Sequence, residues 1–292
     1  MQRLLLALSL LACASWSRAE PVTVPGSGIT VNAPPGMAWA RTGVALVDEE
    51  AVTTLSFIVD QRRMSTLQDS AAWSPFFQHA PERVPGPGRL YRRTRADGDG
   101  WDGWLLLLPA GGGTLFVVVT YSGPSPEAFE RLRGHVLSTA WHEAPLDPEV
   151  AFGLSLQPRG LKLVPGSLGV LAYTDAGEPG VEAFKEISLL VAAQSAMPPP
   201  QAAPIADSDC QQGYSGSAPG RGIVIGPRVD KGDYSYCESW HRDARPQMRY
   251  YALVRPAGGG PAVAVIGSAP GERFPAALAV FREAVAALRF TR

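Results

Sequence analysis

Pro109-Ala110-Gly111-Gly112-Gly113 recurs in this chain as Pro256-Ala257-Gly258-Gly259-Gly260. Apolar runs of strand length flank each copy: Trp104 to Leu108 and Leu115 to Tyr121 around the first, Tyr251 to Val254 and Ala262 to Ile266 around the second. Two such runs joined by glycines, which reach the positive φ that tight turns require, predict a β-hairpin. An amphipathic stretch and a final aromatic, Trp141 or Phe290, follow each hairpin. The expected fold is α+β: two tandem repeats of an antiparallel sheet packed against amphipathic helices.

The two clusters lie 147 residues apart, and at that offset the halves align without gaps from Leu90 to Gly123. Leu55 to Val59 pairs with Ile187 to Val191, and Phe129, Leu132 and Val136 with Leu278, Phe281 and Val285. Agreement in strand, turn, helix and terminal aromatic points to duplication. It divides the chain into a first module at 20–145 and a second at 146–292. Within the first, Ile29, Val31 and Ala33 predict an opening strand before the Pro34-Pro35-Gly36 turn. Val44 to Val47 and Val52 to Val59 predict a second hairpin, followed by a helix over 64–78 and a strand over Arg89 to Arg95. Ser125 as cap, Pro126 at the first helical position and Glu127 against the dipole start the closing helix.

The modules part where the second replaces the 64–78 helix by Met197-Pro198-Pro199-Pro200 and a polar, glycine-rich stretch. Three consecutive prolines favour polyproline II, so 193–240 is expected to hold an inserted loop, a tolerated insertion or a binding element. The mature chain would have two cysteines, Cys210 and Cys237, and in an oxidising compartment a disulfide is the simplest use for them. Closing a loop of this length is worth about 3 to 4 kcal/mol in the chain-entropy model.

Export is expected from the amino terminus. Arg3 precedes an apolar run from Leu4 to Ala14, and Ser17-Arg18-Ala19 carries small residues where a signal peptidase reads, so 1–19 is expected to be a signal peptide. Leu10-Leu11-Ala12-Cys13 also resembles a lipobox, which would place a lipid on Cys13 and make the protein an outer-membrane lipoprotein; membrane contact is expected only in that case. Without it the protein is expected in the periplasm or outside the cell. With 292 residues, 46% hydrophobic content and a formal net charge of −1, nothing points to nucleic acid.

The chemistry-bearing residues form no catalytic pattern. His79, His135, His142 and His241 show neither HExxH nor HxH spacing, and no Gly-x-Ser-x-Gly elbow occurs. The enzyme alternative would be a hydrolase using His241 or His135 with a nearby carboxylate. Asp97-Gly98-Asp99-Gly100 looks like a calcium loop, but Trp101 and Leu108 fall where oxygen ligands are needed. The glycine clusters join strand to strand and no Lys-Ser or Lys-Thr follows, which argues against a phosphate cradle. No catalytic residue, cofactor or metal is therefore expected. Partner-binding candidates are Arg89, Tyr91, Arg93 and Arg95, read as one face of a strand, and the aromatics of the second module, Tyr214, Tyr234, Tyr236 and Trp240.

The element order resembles the PsbP-like fold, which includes the DcrB-type envelope lipoproteins. The matching pieces are Ile29 to Gly36, Trp104 to Tyr121, Ser125 to Trp141, Tyr251 to Ile266 and Leu278 to Phe290. That resemblance implies a binding or assembly factor without catalysis. By layout the chain is also similar to periplasmic immunity proteins that neutralise lipase effectors of type VI secretion. The resemblances imply a protein partner, an effector toxin or another envelope protein, with an envelope lipid-binding or assembly role as the alternative.

Overall fold

A computed structural model describes residues 21–48, 53–60, 76–77, 80–95, 101–165, 167–177, 186–193, 223–242, 247–257 and 262–292. The signal, the lipobox, the acidic turn at 97–100, Gly258 to Gly260, Cys210, Tyr214 and most of both the 64–78 helix and the 193–240 insertion lie outside the described residues.

In the first half the strands are β1 (Pro21–Thr23), β2 (Ile29–Asn32), β3 (Ala38–Trp39), β4 (Ala45–Asp48), β5 (Thr53–Asp60), β6 (Glu82–Arg83), β7 (Arg89–Arg93), β8 (Asp102–Ala110) and β9 (Gly113–Tyr121), followed by helix α1 (Pro126–Leu137) and β10 (Ala140–Trp141). The second half has α2 (Pro148–Phe152), β11 (Leu154–Ser155), β12 (Lys162–Leu163), β13 (Val170–Thr174), β14 (Ser188–Ala193), β15 (Val224–Ile225), β16 (Val229–Asp230), β17 (Tyr234–Arg242), β18 (Gln247–Pro256) and β19 (Val263–Pro270), then α3 (Phe274–Ala286) and β20 (Arg289–Phe290). The first main sheet runs β3-β4-β5-β9-β8-β7-β6 and the second β12-β13-β14-β19-β18-β17-β15, with β16 also on β17. Both orders run through three consecutive strands and then return in descending order, although the strand numbers counted within each half differ. Two small sheets, β1-β2-β10 and β11-β20, tie the start of each half to its end. The strand pairs are antiparallel.

Local chemistry accounts for the elements. Strand β5 alternates buried and half-buried along its length, with Leu55, Phe57 and Val59 inward, as a two-residue repeat requires. Gly111 and Gly112 have φ of 56° and 89° and close the β8–β9 turn between the paired Ala110 and Gly113, the geometry that favours glycine in a two-residue hairpin. Ser125 caps α1, its Oγ accepting from the Ala128 N–H at 3.1 Å, and Phe129, Leu132 and Val136 form the buried face. Asp147 caps α2 in the same way, with Pro148 and Glu149 behind it. On α3 the buried face is Phe274, Ala277, Phe281, Ala284 and Val285.

Each helix lies on one face of its sheet. Trp104, Leu106, Leu115, Val117 and Val119 share a core with α1, while Tyr250, Ala252, Val254, Val263 and Val265 share one with α3. Gly267 belongs to the latter face: a Cβ there would lie 2.5 Å from the Phe281 ring, so only glycine lets the ring seat against β19. These faces correct the gapless 147-residue alignment. Tyr250 stands 146 residues after Trp104, whereas Val263 stands 148 after Leu115. A shift of one residue moves a side chain to the opposite face, so an even offset, not 147, matches the helix-facing residues of the two halves.

Candidate functional site

The expected solvent-facing Arg/Tyr stripe on β7 is corrected. Arg89 and Tyr91 do share a face with Arg93, and Arg92 points the other way, over the Trp104 and Phe129 rings at 5.5 and 5.6 Å. That shared face, however, is the floor of a second, smaller core formed by Phe76, Tyr91, Leu105, Leu107, Phe116 and Val118. Tyr91 is 3% exposed and meets Phe77 edge-on at 4.9 Å; Arg93 is 2% exposed, its guanidinium 3.8 Å from the centre of the Trp101 ring. Neither offers its side chain to a partner in this form. Arg89 is exposed. Arg95 lies beyond the strand, holding Asp102 at 2.7 Å and the Gly123 carbonyl at 2.7 Å.

In the second half the candidates converge. Along β17 the alternation places Tyr234, Tyr236 and Trp240 against the core under α3, with Glu238 at the same parity. Glu238, 8% exposed, accepts from Arg282 of α3 through Nη2 at 2.6 Å and Nε at 2.8 Å. The same guanidinium lies 4.7 Å from the centre of the Trp240 ring. Sequence reading missed Glu238 and Arg282, because the pair spans 44 residues and no local pattern joins them. Burial, then the nearby Glu238 carboxylate, raises the phenols of Tyr236 and Tyr250 above their ordinary range. The bond to Glu238 raises Arg282 in turn. Tyr234 donates its hydroxyl to the Val285 and Ala286 carbonyls at 2.8 and 3.0 Å and so caps the end of α3; burial pushes its pKa up to about 12.

Strand β15 borders this cluster at the edge of the sheet. Val224 pairs with Trp240 and Ile225 with Ser239, and the Gly226 N–H donates to the Glu238 carbonyl at 2.8 Å. Val224 and Ile225 are 47% and 49% exposed. Among the described residues β15 pairs with β17 alone. Cys237, on the opposite face of β17 with Leu253 and Ala262, is buried; its expected partner Cys210 lies outside the described residues.

The two histidines named for the enzyme alternative lie in different halves of the chain. His135 Nδ1 lies 2.7 Å from the Asn32 carbonyl oxygen, tying the end of α1 to β2. His241 is half-buried near the end of β17 and pairs across the sheet with Arg249. His79 lies outside the described residues. Among the described residues no three His, Cys, Asp or Glu side chains gather as a metal site, and no helix is long and apolar enough to cross a membrane.

No family model matches the sequence, and no curated protein matches it significantly. Among solved structures, the chain is similar to the apo immunity protein TplEi of the type VI secretion system from Pseudomonas aeruginosa, at 7% identity over 95% of this chain and 99% of that one, with a TM-score of 0.33. It is also similar to a putative thioesterase II from Thermobifida fusca, at 12% identity over 87% of this chain and 96% of that one, with a TM-score of 0.19. Similarity at these values carries no functional weight.

Proposed function

We propose that this chain is an exported, non-enzymatic binding protein of the inhibitor or immunity type, which holds a secreted effector or another envelope protein in the periplasm. The observation that carries this reading is the β15 edge. Two β-branched residues stand half-exposed on a short edge strand, directly beside Trp240 and its stacked arginine. Open strand edges are ready templates for an incoming strand, and aromatic and arginine side chains are enriched at binding hot spots. The signal-like 1–19 segment supports export, and the similar strand path of the two main sheets supports descent from one duplicated module. A Cys210–Cys237 disulfide belongs to the same proposal: it would anchor the 193–240 insertion to β17, next to β15.

The test is capture from an envelope extract by the mature protein, compared with the double variant Val224→Asp, Ile225→Asp. A specific partner in fixed stoichiometry is expected with the parent and a loss of at least about tenfold in affinity with the variant, since hot-spot truncations exceed the 1.4 kcal/mol that a factor of ten represents. Both positions are exposed, so the melting temperature should hardly move. Equal capture by both proteins, or none by either, would count against the reading.

A further inference from the structure

We infer that the seam around Gly43, Ala151, Gly153 and Arg292 is a clasp that makes the two halves one cooperative unit with a fixed mutual orientation. This inference is independent of the partner proposed above. It starts from the cores. Ala151 and Leu168 follow the expected module boundary, yet both are fully buried in the first core, while their near neighbours Phe152 and Leu171 are fully buried in the second. Consecutive residues of α2 thus serve different cores, and the first core draws two of its fully buried residues from beyond the boundary.

Backbone hydrogen bonds cross the same seam. Val59 of β5 and Leu168 exchange N–H and carbonyl bonds at 3.1 and 3.2 Å, a single antiparallel bridge between the halves. The Gly43 N–H donates to the Phe152 carbonyl at 2.8 Å. Close approach is built in: Gly153 has a φ of 74° and a Cβ there would lie 2.7 Å from the Arg41 carbonyl oxygen and 2.5 Å from Arg292 Nε. At Gly169, with a φ of 87°, a Cβ would lie 3.0 Å from the Phe57 carbonyl oxygen.

Arg292 closes the arrangement. Its Nη2 donates to the Gly43 carbonyl at 3.0 Å and to the Ala151 carbonyl at 2.5 Å, so one guanidinium joins a first-half loop to the helix at the boundary. Beside it Thr291 N–H bonds the Gly153 carbonyl at 3.0 Å, and Arg41 lies 5.1 Å from the centre of the Phe290 ring. Charged donors on carbonyls are stronger than neutral ones, and a planar guanidinium can serve two acceptors at once. Packed seams of this kind behave as bistable contacts that hold or release, and do not slide.

Hydrogen exchange along a urea series tests the clasp. In the parent protein the amides of β9 and β18, central strands of the two main sheets, are expected to lose protection along one curve, as members of one cooperative unit do. Arg292→Ala is expected to split the curves, and Arg292→Lys, which keeps the charge but not the planar fork, to give an intermediate split. A parent protein in which one strand exchanges more than about tenfold faster than the other throughout the series would overturn the inference. So would coincident curves in Arg292→Ala. If Arg292→Ala does not fold, the parent comparison and the lysine variant decide.

Discussion

Raising the pH above 10 is expected to unfold the protein with an unusually steep slope. Burial raises Tyr173, Tyr234 and Tyr250 from the ordinary phenol value of 10.0, Tyr234 to about 12 and the other two more strongly. Above pH 10 the unfolded chain releases these protons while the folded chain keeps them. The unfolded state then binds fewer protons, and stability falls as pH rises. Each phenol held neutral costs about 1.4 kcal/mol per pH unit, so Tyr173 and Tyr250 together should remove about 3 kcal/mol per unit once the unfolded phenols are fully ionised. Tyr234 adds to this between pH 10 and about 12. Below pH 9 these groups should contribute no slope. The physical cause differs by site: an ionised Tyr173 would face the Glu149 carboxylate at 2.7 Å, and an ionised Tyr234 would face two helix carbonyls. Urea titrations at pH 9 and pH 11.5 give the slope, and Tyr250→Phe should reduce it by about 1.4 kcal/mol per unit. A stability that is flat across this interval would show that these phenols are not held as described.

Trp104→Ala should be the most damaging single truncation in the first half. The indole is 1% exposed, stacks on Phe129 at 5.3 Å, and donates its N–H to the Phe129 carbonyl at 3.3 Å. Removing a fully buried large aromatic costs about 3 to 5 kcal/mol, through lost transfer energy and the cavity left behind. The Arg92 and Arg133 guanidinia above the ring, at 5.5 and 6.0 Å, would lose their aromatic seat as well. Trp104→Phe keeps the stacking area and should recover more than half of the loss. The urea midpoint at pH 7 reads both. A change below about 1 kcal/mol in Trp104→Ala would mean that the α1–β8 contact contributes little to this core.

Much of the hairpin architecture was legible because its causes are local. Glycines at positive φ, alternation along β5 and the Ser125-Pro126-Glu127 helix start each act within a few residues. Asp147-Pro148-Glu149 carries the same helix-start signature and went unread; its helix is only five residues long and lacks a periodic apolar face. The β7 stripe was misread for a non-local reason. Arg89, Tyr91 and Arg93 alternate like an outer face, and only the arrival of Phe76, Phe77 and Trp101 buries it. Glu238 and Arg282 stayed hidden in the same way, since a strand–helix ion pair leaves no periodicity. The exposed Val224 and Ile225 show the reverse limit, because β-branched residues read as buried until the sheet order puts them at an edge.

Gly267 carries one more consequence. The Phe281 ring presses on bare backbone at that position, and Tyr250 lies 5.6 Å away, centre to centre. A ring enclosed in this way can turn over only when α3 lifts from β19. The flip rate of that one phenyl ring is therefore a clock for the breathing of helix against sheet, set by the absence of a single methyl group.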